Sequence, residues 1–201
     1  MSSPERLFIT LEEGPRNENE EKHIARYIFA SMFAKGDILD LACGSGYGSM
    51  VLSTKGRVTG VDASGEAIYY ARTHNANPKI EYIHSCAEEF VPTKRFDSIV
   101  CLETFEHLDS IHGFDLLLDF EEWLTPKGQL VFSTPMLRYK DGKPYVTNPY
   151  HVNEMPREEF LRLINFTFRK MKLFFFHQDI NTFNVLGDEN TGFLITVGRK
   201  V

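Results

Sequence analysis

The sequence predicts an α/β protein built on a doubly wound, mostly parallel β-sheet. Three observations carry that expectation. Short bursts rich in Ile, Val, Leu and Phe alternate with helix-period segments, the connections suit crossover helices, and the first burst runs straight into three alternating glycines. Residues 1–19 hold Gly14, Pro15 and several Glu without apolar periodicity, and read as an N-terminal arm able to fold over something. From Glu20 to Phe33, Ile24, Tyr27, Ile28 and Ala30 recur three to four apart, the period of an amphipathic helix. Strands are expected at Asp37–Leu41, Val58–Val61, Ile80–His84, Phe96–Leu102 and Gln129–Ser133. Helices are expected at Gly48–Ser53, Ser64–Thr73 and His112–Leu124, with Ser64 placed as an N-cap.

After the fifth strand the rhythm changes. Residues 134–153 contain Pro135, Gly142, Pro144 and Pro149 with no apolar period, and a loop that long in a compact domain usually serves the substrate. Pro156 suits the first position of a helix whose face is Phe160, Leu161 and Ile164. Lys172–Phe176 and Gly192–Val197 then read as an antiparallel edge pair, and Phe174–Phe176 as a buried strand. The whole of 1–201 reads as one domain, with no internal repeat.

With 42% apolar and 25% charged residues the composition excludes a disordered or fibrous chain. No run reaches the roughly 18–20 apolar residues that a bilayer span requires, and the polar, acidic start is unlike a signal peptide, so a cytoplasmic protein without a membrane partner is expected. Cys43, Cys86 and Cys101 form no CxxC pair, which speaks against a disulfide framework or zinc ribbon. A net charge of −6 provides no overall basic field for nucleic acid.

The chemistry concentrates in Ile38–Gly48, a strand that enters Gly44, Gly46 and Gly48. Glycines at the carboxyl end of a parallel strand let backbone approach a ligand. Asp62 ends the next strand, placed to accept both hydroxyls of a ribose. A dinucleotide fingerprint would need glycine at position 49, which is Ser49, and Asp40 would repel a pyrophosphate while attracting a sulfonium or ammonium group. No Gly-Lys-Ser/Thr follows, which excludes a P-loop.

Five segments in order, LDLACGSGYG (39–48), VTGVDAS (58–64), CAEEF (86–90), FDSIVCLETFEHL (96–108) and LTPKGQLVFSTP (124–135), resemble the class I S-adenosylmethionine-dependent methyltransferases. The resemblance implies a Rossmann-like, seven-stranded sheet of order 3-2-1-4-5-7-6 with one antiparallel strand. It also implies S-adenosylmethionine as cofactor. By position it puts Asp40, Gly44 and Gly46 around the methionine moiety with Glu103 beside that end, Asp62 on the ribose, and Ala63, Ala87 and Glu88 near the adenine, with Tyr47 as a further cofactor-binding residue. Cys86 stands where many members carry Asp, which favours a backbone contact there. On the first helix, Arg26 is read either as a lid residue that pairs with the cofactor carboxylate or as a solvated edge residue.

Glu103, Glu106 and His107 stand at i, i+3 and i+4, one face if the segment is helical. Two carboxylates and an imidazole offer a divalent-ion shell for Mg²⁺ or Mn²⁺, or a general base with its orienting acid. His151 in the long loop is a fourth ligand or a second base; ordering of the loop is the alternative reading. The Glu-x-x-Glu-His pattern with a distal His resembles the small-RNA 3′-end 2′-O-methyltransferases, and its first part is similar to the ubiquinone-biosynthesis O-methyltransferases. His23–Tyr27, CGSGYGS, ETFEHL and NPYHVNE together resemble small bacterial and phage methyltransferases found beside sugar and polysaccharide genes. The expectation is therefore O-methylation of a sugar or other small polar hydroxyl, with His107, Glu106 and His151 catalytic. An RNA 2′-O-methyltransferase is the first alternative, a non-catalytic S-adenosylmethionine-binding protein the second, and an NAD-dependent oxidoreductase the third.

Overall fold

The computed structural model describes residues 7–201. The expected arm therefore lies partly outside the described residues. Along the chain run α1 (Glu18–Ser31), β1 (Gly36–Leu41), α2 (Tyr47–Leu52), β2 (Gly56–Asp62), α3 (Gly65–His74), β3 (Ile80–His84) and β4 (Phe96–Leu102). A 3₁₀ turn (Phe105–His107) and α4 (Ser110–Trp123) lead to β5 (Leu124–Pro135), β6 (Arg138–Lys140) and β7 (Lys143–Tyr145). The chain finishes with α5 (Arg157–Thr167), β8 (Met171–Asp179), β9 (Thr182–Val185) and β10 (Phe193–Lys200).

Among the described residues the main sheet has eight strands, ordered β3-β2-β1-β4-β5-β10-β8-β9. Strands β1 to β5 pair in parallel, whereas β10 runs antiparallel to both β5 and β8. The α/β, mostly parallel expectation holds, with one strand more than the seven expected. After β8 the chain turns back at Ile180–Asn181 and pairs Thr182–Val185 antiparallel to β8, making β9 the edge. The long loop likewise contains a hairpin, β6–β7, whose Asp141 and Gly142 both have positive φ (52° and 73°), the backbone that an Asp-Gly turn supplies. Pro156 is extended (φ −58°, ψ 143°) and precedes α5 as its cap instead of occupying its first turn. Ser64 caps α3 as expected, its hydroxyl accepting from the Ala67 amide.

Strand alternation sorts the core into two layers, one on each face of the sheet. Leu39, Ile99, Cys101, Leu130 and Phe132 pack towards α4 and α5, while Ile38, Val100, Val131 and Ile195 pack towards α1 and α2. The first layer is aromatic: Phe132 stacks on Phe160 at 5.8 Å and meets Phe120 at 6.2 Å. All three cysteines are free. No helix among the described residues is long and apolar enough to cross a membrane.

Phe132 bridges α4 and α5 from the centre of β5. Phe132→Ala should cost about 3–5 kcal/mol, read as a lower urea midpoint with an unchanged dependence on denaturant.

Candidate active site

At its carboxyl end β1 breaks into a turn in which Ala42, Gly44 and Gly46 all have positive φ. This turn forms the floor of a cleft of about 440 Å³ at the carboxyl edge of the sheet. Gly44 and Tyr47 line it from the first turn, Asp62 and Ala63 from the second, and Ser85, Cys86, Ala87 and Glu88 from the third. Glu103, His107 and Tyr150 close the far end, and His23, Arg26, Tyr27 and Leu7 cover it. The Asp62 carboxylate accepts the amides of Gly44 (2.9 Å) and Ser64 (2.8 Å), which fixes it between the two loops.

Two expected cofactor contacts are corrected. Asp40 is fully buried and is not among the described lining residues, because its oxygens are engaged beneath the loop by Tyr27 Oη (3.0 Å) and Ser49 Oγ (2.6 Å). Burial pushes its pKa up to about 7, against which the two hydroxyl donors act. Ser49, where a dinucleotide fingerprint would have glycine, is thus the donor that a buried carboxylate requires. Gly46 also faces inward, with Tyr82 and Ala71 where a Cβ would project. Both residues shape the loop from below. Gly48 has a comparable reason: the Tyr27 ring occupies the space of its missing Cβ and docks α1 onto the loop.

His23, Arg26 and Tyr27 share one face of α1 by their i, i+3, i+4 spacing, a signal readable in the sequence. Burial and the charge of Arg26 press His23 down to about 3, so it is a neutral ring, and its Nδ1 meets Tyr47 Oη at 3.3 Å. Arg26 is 1% exposed. Its Nε donates to Gln178 Oε1 (2.6 Å), its guanidinium lies over Phe193 at 4.0 Å, and Nη1 pairs with Glu103. Nη2 has no hydrogen-bond partner among the described residues. Burial lowers the Arg26 pKa to about 10, which leaves it charged at neutral pH. The solvated-edge reading of Arg26 is excluded, and Gln178 and Phe193 are partners that sequence spacing did not reveal. The arm crosses the loop: Ser45 Oγ donates to the Leu7 carbonyl (2.6 Å), and Asn75 Nδ2 to those of Ile9 (3.0 Å) and Ser45 (2.8 Å).

Beyond Glu103, one ligand atom each of Glu106, His107 and His151 lies within 4.8 Å of the others. Glu103 is corrected out of this set. The segment is not a continuous helix: Glu103 has φ 52°, only Phe105–His107 forms a turn, and the Glu103 carboxylate pairs with Arg26. His151 arrives because the amides of Val152 (2.8 Å) and Asn153 (3.1 Å) both donate to the Glu106 carbonyl. Glu106 is fully buried; Thr134 Oγ1 donates to Oε2 (3.3 Å), while Oε1 has no hydrogen-bond partner among the described residues. Burial lifts its pKa to about 8. His107 Nδ1 meets the Tyr150 carbonyl at 3.2 Å, His151 Nδ1 meets Glu154 Oε1 at 2.6 Å, and the two rings stand 4.9 Å apart. These contacts place a proton on each Nδ1, which directs the Nε2 lone pairs elsewhere. A carbonyl or carboxylate behind each imidazole is the usual support of a metal-bound histidine. The donor set therefore fits a divalent cation with three protein ligands.

Residues 38–128, just under half of the chain, match the family model described as a methyltransferase domain. The ubiquinone biosynthesis O-methyltransferase of Rickettsia akari is 35% identical over 104 residues, covering 50% of this chain and 41% of that protein. The mitochondrial enzyme of the same name from Schizosaccharomyces pombe is 37% identical over 108 residues, covering 51% and 39%. The chain thus spans about two-fifths of the length of these relatives. Among solved structures, the plantazolicin methyltransferase BpumL with S-adenosylhomocysteine superposes with TM-score 0.69 at 18% identity, covering 89% of this chain and 83% of that one. The N-methyltransferase NodS of Bradyrhizobium japonicum WM9 gives 0.64 at 16% identity, covering 94% and 89%. These two likenesses establish the fold and leave the accepting atom open. Over residues 38–128 the chain is thus similar to a methyltransferase domain, and a solved neighbour of the same fold holds S-adenosylhomocysteine.

Asp40 and Glu106 bind protons more tightly folded than unfolded, so their contribution to stability is full at acid pH and is lost as pH rises. For Asp40 the loss runs from 3.8 to about 7, and for Glu106 from 4.5 to about 8. Asp40→Asn should flatten the fall in Tm between pH 4 and about 7, measured by calorimetry on metal-free and cofactor-free protein.

Proposed function

We propose that the protein moves a methyl group from S-adenosylmethionine to a hydroxyl oxygen of a small polar acceptor, with sugars as the acceptor class. The observation that carries this reading is the Glu106–His107–His151 cluster, which shares the Glu103 end of the cleft. Relatives named as O-methyltransferases support oxygen as the accepting atom.

In this reading Asp62 takes the ribose hydroxyls, while Ala63, Ala87 and Glu88 border the adenine. Gly44 and Tyr47 flank the methionine chain. Arg26 Nη2, a buried donor without a hydrogen-bond partner among the described residues, binds the cofactor carboxylate, and Glu103 lies beside the same end. Transfer from a sulfonium is an in-line displacement: the acceptor oxygen bonds to the methyl carbon as the carbon–sulfur bond breaks, leaving a neutral thioether. Positioning supplies much of the rate. The hydroxyl must lose its proton, and with the cluster free of metal an imidazole of the pair His107 and His151 receives it at Nε2; as metal ligands the same nitrogens would have no lone pair for it. A divalent ion held by Glu106, His107 and His151 would supply a lowered hydroxyl pKa. Two imidazoles among three ligands suit Mn²⁺ better than Mg²⁺.

Titration of Mn²⁺, with methyl transfer to hydroxylic sugars and to their amino analogues, tests this reading. Glu106→Gln and His151→Ala should each lose about 100-fold or more in transfer rate and bind S-adenosylhomocysteine as the wild type does. Glu103→Gln should keep Mn²⁺ affinity and weaken the cofactor instead. Transfer to the amine alone would overturn the hydroxyl assignment, and loss of Mn²⁺ binding in Glu103→Gln would restore a four-ligand site.

A further inference from the structure

We infer that Glu154 is a positioning residue that fixes His151 in the Nδ1–H tautomer and so presents Nε2 to Glu106 and His107. Its bearing on metal binding rests on the proposed cation at that cluster. Glu154 follows His151 by three residues, before α5 begins, and the Nδ1–Oε1 distance is 2.6 Å. The Glu154 side chain is only 1% exposed, and its Oε2 has no hydrogen-bond partner among the described residues. A carboxylate withdrawn from water in this way costs several kcal/mol unless a positive or donating group compensates it. Its oxygen Oε1 meets the imidazole of His151, itself part-buried at 14% side-chain exposure.

A histidine side chain free in water favours the proton on Nε2, the arrangement that leaves Nε2 without a lone pair. A carboxylate behind Nδ1 reverses that preference and limits ring rotation. The local backbone serves the same end. Val152 and Asn153 donate to the Glu106 carbonyl, and Leu137 N–H donates to the Met155 carbonyl (2.9 Å), so the segment between His151 and Glu154 is held at both sides.

The test combines long-range ¹H–¹⁵N NMR of the histidine ring nitrogens at pH 8 with Mn²⁺ titration on the full chain. Wild-type His151 should show the Nδ1–H pattern. Glu154→Ala should move it to Nε2–H and weaken Mn²⁺ binding by about 10–100-fold, with S-adenosylhomocysteine affinity unchanged. Glu154→Gln, whose carbonyl oxygen can still accept the bond, should keep the tautomer and bind Mn²⁺ with intermediate affinity. It also serves as the folded control if the alanine variant is unstable. Wild-type Mn²⁺ affinity in Glu154→Ala, or a retained Nδ1–H pattern there, would overturn the inference. Absence of Mn²⁺ binding by the wild type would overturn the metal reading, and the ring-nitrogen pattern alone would then decide the role of Glu154.

Discussion

A guanidinium almost wholly withdrawn from water costs several kcal/mol unless its donors and its charge are met. Arg26 meets that requirement for its charge, for Nε and for Nη1, leaving Nη2 over, by joining four parts of the fold: it rises from α1, pairs with Glu103 after β4, donates to Gln178 on β8 and lies over Phe193 on β10. These contacts hold α1 across the carboxyl edge of the sheet. Tyr27, one residue on, fills the space beside Gly48 and donates to Asp40, so the same turn of helix is fastened to the glycine loop.

Capture of Glu103 by Arg26 divides the acidic segment after β4 between two tasks. Glu103 belongs to the cofactor end of the cleft. Glu106, three residues later, is buried in the 3₁₀ turn, where the chain after β7 brings His151 back to it. Parallel strands deliver both tasks to one edge, since every loop that follows such a strand emerges there. The cleft and the polar cluster therefore share a wall at His107 and Tyr150 with no further domain required for that contact.

Much of this was legible in the sequence because it depends on local backbone demands. Glycines after an apolar strand, Asp62 at the end of the next and Ser64 ahead of a helix each answer a local geometric need, and each stands where it was expected. The failures concern tertiary choice. Spacing of three and four placed Glu103 with Glu106 and His107, but a positive φ at Glu103 ends that periodicity before it starts. Asp40 looked like a ligand contact because it precedes the glycines; alternation along β1 instead turns it under the loop towards Tyr27 and Ser49. Strand β9 was missed because four residues leave too short a pattern, and the Asp141–Gly142 hairpin because Pro144 and Pro149 made the segment read as irregular. Glu154 had no local signature, since its role depends on how the loop folds back.

The account stands on a cleft that the glycine loop, Asp62 and Arg26 fit to a nucleoside cofactor with a carboxylate. Its most direct test is calorimetric titration of S-adenosylhomocysteine, with NAD as the competitor and EDTA present throughout. Saturable one-to-one binding of S-adenosylhomocysteine, weakened in Arg26→Leu and not displaced by NAD, is the expected result. No binding, or tighter binding of NAD, would contradict the account.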